Sequence, residues 1–515
     1  MERDGMCTSL WQYNMPQYES LNSTIPDSSY DIIIVGGGIT GVSTALELQK
    51  TGKKCLLLEA HSLGFGTTGG TTAHLNTLVD TYYNTIEKKF GKENAHLVAD
   101  ITREAIKHVK HNLYEYKIEC GFEEQPGYLF SQDEKQTKEL EDIAQASANA
   151  GLALSFVHEI PVSIPFEKAI RIERQARFHP TEYLFALAHA FEDAGGVIVQ
   201  NCRVNDAKDG DIVEAETSLG KVQAQQLIYA THIPPGVNVL HLRCAPYRSY
   251  AMAVRLKNAN YPDGLVYDMH DPYHYIRTQE VNGEKYLIVG GEDHKTGHEE
   301  NTEACFMHLE SYVRKYFDVN VVAFKWSSQY YEPDDGLPYI GHLPFGSGNI
   351  YVATGFSGNG ITYGIVSSLV LRDIILNEKN EYTELFNPNR IKPIAGFAKF
   401  VKENLDVAKE LIEKILPSEK LEELAGVANG EGKVVKYEGE NIALFKDNNG
   451  TLHAINPTCT HLKCTVSWNL AEQTWDCPCH GARYDWEGKV LTGPASKDLE
   501  KVELQALINE KEKSK

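Results

Sequence analysis

Four cysteines and two histidines crowd near the C-terminal end of the 515-residue chain. They form Cys459-Thr-His461-Leu-Lys-Cys464 and Cys477-Pro-Cys479-His480-Gly481, with fifteen residues between His461 and Cys477. Thiolates and imidazoles at this density ask for a metal or a disulfide. Structural zinc is the rival reading. Zinc ribbons typically use C-x2-C knuckles and fill all four positions with Cys or late His. Here the pairs are C-x-H and C-x2-H, with an extra cysteine in each loop. The other six cysteines (Cys7, Cys55, Cys120, Cys202, Cys244 and Cys305) are scattered and read as ordinary buried thiols.

A second chemistry sits near the other end. Gly36-x-Gly38-x-x-Gly41 follows the apolar run Asp31-Ile-Ile-Ile-Val35 and precedes a helical stretch. Gly36 allows the tight turn, Gly38 lets backbone approach a pyrophosphate, and Gly41 lets helix and strand pack closely. Ile39 and Thr40 lie in this turn, and the N-terminus of the helix that follows offers amide N–H groups and a partial positive charge to phosphates. Glu59, eighteen residues after Gly41, can accept hydrogen bonds from a ribose diol and would repel a 2′-phosphate. Two further stretches favour flavin over nicotinamide. Gly64-Phe-Gly-Thr67-Thr68-Gly-Gly-Thr-Thr-Ala-His74 is rich in small donors. Gly355-Phe-Ser357-Gly358-Asn359-Gly360, running into Ile361, makes a second amide cluster before a helix.

The elements that must position these groups follow from hydrophobic spacing. Residues 31–35 form a buried strand, 42–50 a helix and 54–59 the next strand. Helix-like spacing runs over 85–150, and a further helix over 181–194 precedes strand 197–199. Residues 227–230 form a short strand, 243–332 are strand-rich, 351–353 form a strand, and a helix follows to about 376. An amphipathic helix is expected over 394–414, with Pro417 opening a linker.

Composition bounds the function. At ~150 residues per domain the length implies about three domains. Hydrophobic residues at 42% and charged residues at 23% are ordinary for a globular chain. The net charge of −21 argues against nucleic acid and anionic lipid as partners. No apolar stretch reaches the ~20 residues of a membrane span. The Met-Glu-Arg-Asp-Gly start lacks the features of a signal peptide, so the expected compartment is the cytoplasm.

Two family resemblances emerge. Residues 30–375 resemble the D-amino-acid-oxidase and glycine-oxidase superfamily of FAD proteins. The resemblance rests on the glycine motif, Tyr275-Ile-Arg277, Asp335-Gly-Leu-Pro-Tyr-Ile-Gly341 and the 355–360 loop. It implies a Rossmann-like α/β FAD domain (about 30–80, 175–235 and 335–375) interleaved with an α+β substrate domain (about 81–174 and 236–334). It also implies oxidation of a C–N bond. Tyr275 and Arg277 then line the flavin from one strand face, with Arg277 pairing a substrate carboxylate; Tyr250, Tyr330 and His74 are further pocket candidates. Ala230-Thr-His232 departs from the commoner Ala-Thr-Gly at that place.

The last hundred residues resemble an all-β Rieske [2Fe–2S] domain, expected over 419–508. A leader over 1–29, a helical linker over 394–418 and a charged tail over 509–515 complete the chain. The Rieske resemblance implies Cys459 and Cys477 on one iron, His461 and His480 on the other, and a disulfide between Cys464 and Cys479. Neutral imidazoles in place of two thiolates raise the potential to roughly −150 to +300 mV. The resemblance also places a serine where Ala482 stands, while Tyr484 keeps its position.

Together these imply a flavin dehydrogenase that oxidises a small amine or amino acid and passes electrons through the cluster to an external carrier. A non-catalytic flavin and iron–sulfur carrier or redox sensor is the alternative. A Rieske oxygenase would need a mononuclear iron on two histidines and a carboxylate, for which no convincing set is present. His108 and His111 read as solvated helix residues, and Asp334-Asp335 as a turn.

Overall fold

The computed structural model describes residues 1–390, 419–420, 427–437 and 440–503. The helix expected over 394–414 and the tail over 509–515 lie outside the described residues. At the centre of the first layer is Tyr30–Val35, whose β-branched run suits a strand covered on both faces. It pairs in parallel with Gly220–Tyr229 on one side and Cys55–Leu58 on the other. Ile350–Thr354 and Val197–Val199 extend the parallel order outward, and Tyr339–His342 adds an antiparallel edge. The helices Ile39–Lys50 and Gly360–Ile375 pack against each other over this sheet. Both begin at a glycine-rich turn, so the two turns come together beside the sheet.

The second layer is a mixed nine-stranded sheet. Its longest members, Cys244–Leu256, Glu284–Lys295 and Val319–Pro333, run antiparallel, while Leu265–Asp268 pairs in parallel with Glu123–Ser131. The helical spacing over 85–150 resolves into Lys92–Glu115 and Glu134–Asn149 with strand Glu123–Ser131 between them. The strand-rich stretch also holds helix Thr302–Tyr316, whose Asn301 cap accepts from the Ala304 amide. The C-terminal part folds as two four-stranded sheets around a core that includes Trp475, Tyr484 and the four clustered cysteines.

Residues 1–29 are irregular but not superficial. Leu10, Trp11 and Gln12 are buried, and Trp11 donates to the Thr71 carbonyl. Arg3 and Asp4 enter a buried ion network that reaches Glu472 and Arg483 of the C-terminal part. Arg483 pairs in turn with Asp476, which Arg248 of the nine-stranded sheet approaches. Of the two helix histidines, His111 is solvated, whereas His108 is largely covered, 3.5 Å from Glu47. Asp335 is buried in a two-pronged pair with Arg390. Among the described residues, no helix is long and apolar enough to cross a membrane.

Candidate cofactor sites

The first glycine turn is built as its spacing requires. Gly36 adopts φ +113°, and a Cβ there would lie 2.5 Å from the Ala230 carbonyl oxygen. A Cβ on Gly41 would lie 1.8 Å from the Gly36 oxygen, so only glycine lets the helix approach. The Ile39 amide donates to Thr68 Oγ1, tying the small-residue stretch to the helix start. Glu59 is half-buried and accepts from the amides of Gly37 at 2.6 Å and His61 at 2.8 Å. Burial pushes its carboxyl upward, against those donors and the nearby Arg203.

A cavity of about 280 Å³ joins these groups to the second turn. Gly36, Gly38, Ile39, Thr40, Glu59, Thr67 and Thr68 line it from one side, and Ser357, Gly358, Asn359, Gly360 and Ile361 from the other. Gly41 and Gly355 stand behind the wall. The second turn is held by Asp80: its carboxylate accepts from the Gly358 amide, and its own amide donates to Asn359. An elongated nucleotide cofactor fits this wall of amides, hydroxyls and one carboxylate.

The far end of the cavity holds residues that no contiguous motif marks. Tyr275 lines it, as do Tyr330 and His74, together with Ser249, Tyr273 and Asp293. Tyr250 lies elsewhere, bonded to His294. Arg277 corrects the expected carboxylate clamp. It shares the strand face of Tyr275 but is fully buried and does not line the cavity. Its guanidinium donates to the carbonyls of Ala73 and Phe178 and to Gln279, and lies over the Trp11 ring. A guanidinium spent on interior acceptors has little left for a ligand.

His232, where glycine is commoner, takes φ +71°, the conformation glycine would favour. Its ring lines the cavity and meets Tyr331 edge-on at 4.7 Å.

In the C-terminal part, Cys464 and Cys479 form a disulfide, as the Rieske resemblance implies. The sulfurs of Cys464, Cys477 and Cys479 lie within 4.8 Å of one another, but the disulfide removes two of them as thiolate donors. Cys459 and Cys477 are free and buried. The neighbouring Cys477, then the Tyr484 hydroxyl 3.3 Å away, pull the Cys459 thiol down to about 6 against burial. His461 and His480 face each other with ring centres 5.0 Å apart. Both ring nitrogens of buried His480, and Nδ1 of His461, have no protein partner. His461 Nε2 donates to the Gly236 carbonyl, which leaves its Nδ1 bare and free to ligate. Orphaned imidazole nitrogens beside two free thiols fit an iron–sulfur cluster. Ala482 is fully buried beside them and brings no hydroxyl.

The histidine side of this site packs against the FAD-side fold. His461 and His480 both pack against His241, and Gly236 belongs to the same FAD-side loop. Tyr331 donates to the His480 carbonyl and Gln329 to the Gly481 carbonyl. Leu491, Thr492, Gly493, Ala495 and Ser496 of the C-terminal part line the cofactor cavity itself.

Comparison with known proteins agrees with this division. Residues 31–374 match the family model described as FAD dependent oxidoreductase, and residues 418–503 match that of the Rieske [2Fe-2S] domain. The Rieske 2Fe-2S iron-sulfur protein YhfW of Bacillus subtilis (strain 168) is 33% identical over 494 residues, 95% of this chain and 96% of its own length. Gamma-glutamylputrescine oxidoreductase of Escherichia coli (strain K12) is 22% identical over 385 residues, 72% of this chain and 88% of its own. The crystal structure of glycine oxidase from Geobacillus kaustophilus superposes with a TM-score of 0.60 at 18% identity, covering 70% of this chain and 99% of that one, a likeness of fold. The chain therefore belongs to the FAD-dependent oxidoreductase family and carries a C-terminal Rieske domain, with FAD and a [2Fe–2S] cluster as its cofactors.

Proposed function

We propose that the chain is a dehydrogenase that oxidises a C–N bond of a small amine or amino acid and delivers the electrons, through its own Rieske cluster, to an external one-electron carrier. FAD, when bound, supplies a two-electron acceptor that can release electrons singly. In this reading Gly36, Gly38, Ile39, Thr40 and Gly41 receive the pyrophosphate and Glu59 the ribose. Thr67, Thr68 and the Gly355–Ile361 turn, with Ser357, Gly358, Asn359 and Gly360, flank the rest of the cofactor. Cys459 and Cys477 hold one iron, and His461 and His480 the other. Tyr275 remains a candidate for the substrate wall; Arg277 supports that wall from behind.

One observation carries the proposal. The His480–Gly481 loop is hydrogen-bonded to Tyr331 and Gln329; Gln329 lines the cofactor cavity, and His232, which also lines it, packs on Tyr331. A cluster docked this way is placed to exchange electrons with a cofactor on the same chain. Similarity to a protein named as a putrescine-derivative oxidoreductase supports the C–N assignment.

The test is an anaerobic titration of the holoprotein with amines and amino acids, following flavin absorbance, in the native chain and in Cys477→Ser. Substrate should bleach the flavin in both. Turnover with a one-electron acceptor should collapse in Cys477→Ser. Indifference of the flavin to every candidate would favour a non-catalytic carrier. Loss of flavin bleaching in Cys477→Ser with FAD retained would reverse the direction of flow.

A further inference from the structure

The far end of the cofactor cavity has an electrostatic character that the expected amino-acid site would not have. Two carboxylates, Asp80 and Asp293, line it together with the rings of Tyr273, Tyr275 and Tyr330. Asp293 accepts from the hydroxyls of Ser249 and Tyr330, the latter at 2.9 Å, and Ser249 also contacts the Tyr275 hydroxyl at 2.8 Å. Both donors to Asp293 are neutral, so its charge is hydrogen-bonded but not neutralised by them. Asp80 and the Tyr273 hydroxyl both crowd the position of Gly358, which places the second carboxylate beside the same rings.

The guanidinium groups are elsewhere. Among the described residues lining the cavity, the one Lys or Arg is Arg203, and it is at the Glu59 end, bonded to His61 and the Val490 carbonyl. Arg277 is spent on interior carbonyls. A substrate α-carboxylate brought to this end would therefore meet like charges. An ammonium would meet a hydrogen-bonded carboxylate and the electron-rich faces of aromatic rings, both of which favour a cation.

We propose that this end of the cavity is an ammonium-recognition site, and that the substrate is an alkyl- or aralkylamine cation without an α-carboxylate, seated on Asp293 among the tyrosine rings. Asp80 adds a second negative charge to the same field. The inference rests on the reading of this cavity as the place of C–N oxidation, and it narrows that reading from amines and amino acids to amines alone.

The test uses the FAD-loaded full chain under anaerobic conditions with three matched probes: norvaline, butylamine (norvaline without its carboxylate) and pentanoate (norvaline without its amine). Affinity is measured by calorimetry and by perturbation of the flavin spectrum. Butylamine should bind more tightly than norvaline, and pentanoate most weakly. Asp293→Asn keeps an oxygen for the Ser249 and Tyr330 donors but removes the charge. It should weaken butylamine by roughly tenfold to a hundredfold and leave pentanoate unchanged or improved. Asp80→Asn should weaken butylamine less, and it carries the test if Asp293→Asn fails to fold.

Tighter binding of norvaline or pentanoate would overturn the proposal. So would no measurable binding of butylamine, or affinity for butylamine unaffected by either substitution. The two readings separate cleanly. If norvaline bleaches the flavin while butylamine does not bind, oxidation stands and amine recognition falls. If butylamine binds in an Asp293-dependent way but no probe bleaches the flavin, the ammonium site stands and the oxidation reading falls.

Discussion

The two ends of the cofactor cavity are made of different material. The nucleotide end is main chain and small side chains: Gly36, Gly38, the helix start at Ile39, and one carboxylate fixed by two amides. The far end, the proposed substrate end, is lined by residues from separate strands and loops: 80, 249, 273, 275, 293 and 330. A nucleotide end has one ligand to hold, and backbone amides at a helix start provide for it locally. A substrate end must be shaped to one molecule, and separate strands each supply a group. The first should therefore fail through backbone strain, and the second through charge.

The largest effect is expected at the nucleotide end. In Gly41→Ala the new Cβ would stand 1.8 Å from the Gly36 oxygen, a clash with main chain that no rotamer relieves. Helix and strand must part, at a cost of about 3 kcal/mol or more. The protein should be recovered with little FAD and a lowered Tm, measured by flavin-to-protein ratio and thermal unfolding. Normal flavin content would break the comparison.

Glu59→Ala comes next. It deprives the Gly37 and His61 amides of a charged acceptor and removes the proposed ribose partner. With charge-assisted bonds worth ~1.5–3 kcal/mol, FAD affinity should fall roughly tenfold or more while the fold persists. Fluorescence titration of stripped protein with FAD checks it; unchanged affinity would remove Glu59 from the ribose role.

Much of the first end was legible in the sequence because its chemistry is contiguous: strand, glycine turn, helix and acidic residue lie within one short stretch. The cluster loops were legible for the same reason. At the other end the sequence pointed to Tyr275, Tyr330 and His74, which do line the cavity, but not to Asp80 and Asp293, which are far apart in sequence and which only the fold brings to one cavity. Strand alternation did place Tyr275 and Arg277 on one face. What lies over Arg277 was set by the leader, where Trp11 covers it. A non-periodic segment carries no signal of what it will pack against. His108 shows the same limit, since helical spacing does not reveal Glu47 across the interface.

The substrate end should reveal itself through pH. Burial raises the Asp293 carboxyl to about 7, with Asp80 and Glu332 adding like charge and the hydroxyls of Ser249 and Tyr330 opposing it. Tyr273 and Tyr275 also face it and stay neutral in this range, their hydroxyls raised by burial. A cation prefers the ionised carboxylate. Butylamine affinity should thus rise from pH 6 through about pH 8 and then level, by at most about tenfold per pH unit. The sign for the ligand-free fold is opposite. A carboxyl whose folded value lies above its ordinary 3.8 favours folding while protonated, and that contribution is lost as pH climbs through about 7. Asp293→Asn should flatten both trends. A flat affinity profile in the native chain would mean that Asp293 does not meet the cation.

The smallest effect on either cofactor, and the sharpest on their coupling, is expected at His232. A side chain at φ +71° costs ~1–2 kcal/mol relative to glycine, so His232→Gly relieves strain while giving up the contact with Tyr331. The two changes oppose each other, and stability should move by no more than about 1 kcal/mol. The ring meets the nucleotide side through a long 3.4 Å contact with Thr67 Oγ1, while Gly36, Gly41 and Glu59 are unaffected, and the proposed cluster ligands all lie in the C-terminal part. FAD content and the Rieske spectrum should therefore match the native chain. What disappears is the packed matter between the cavity and Tyr331, which donates to the His480 carbonyl. If His232 fills the electron path, rapid-reaction spectroscopy should show flavin reduction at the native rate and slower appearance of the reduced cluster. An unchanged rate of cluster reduction would show that electrons cross by another contact, with the 491–496 segment at the cavity wall as the alternative.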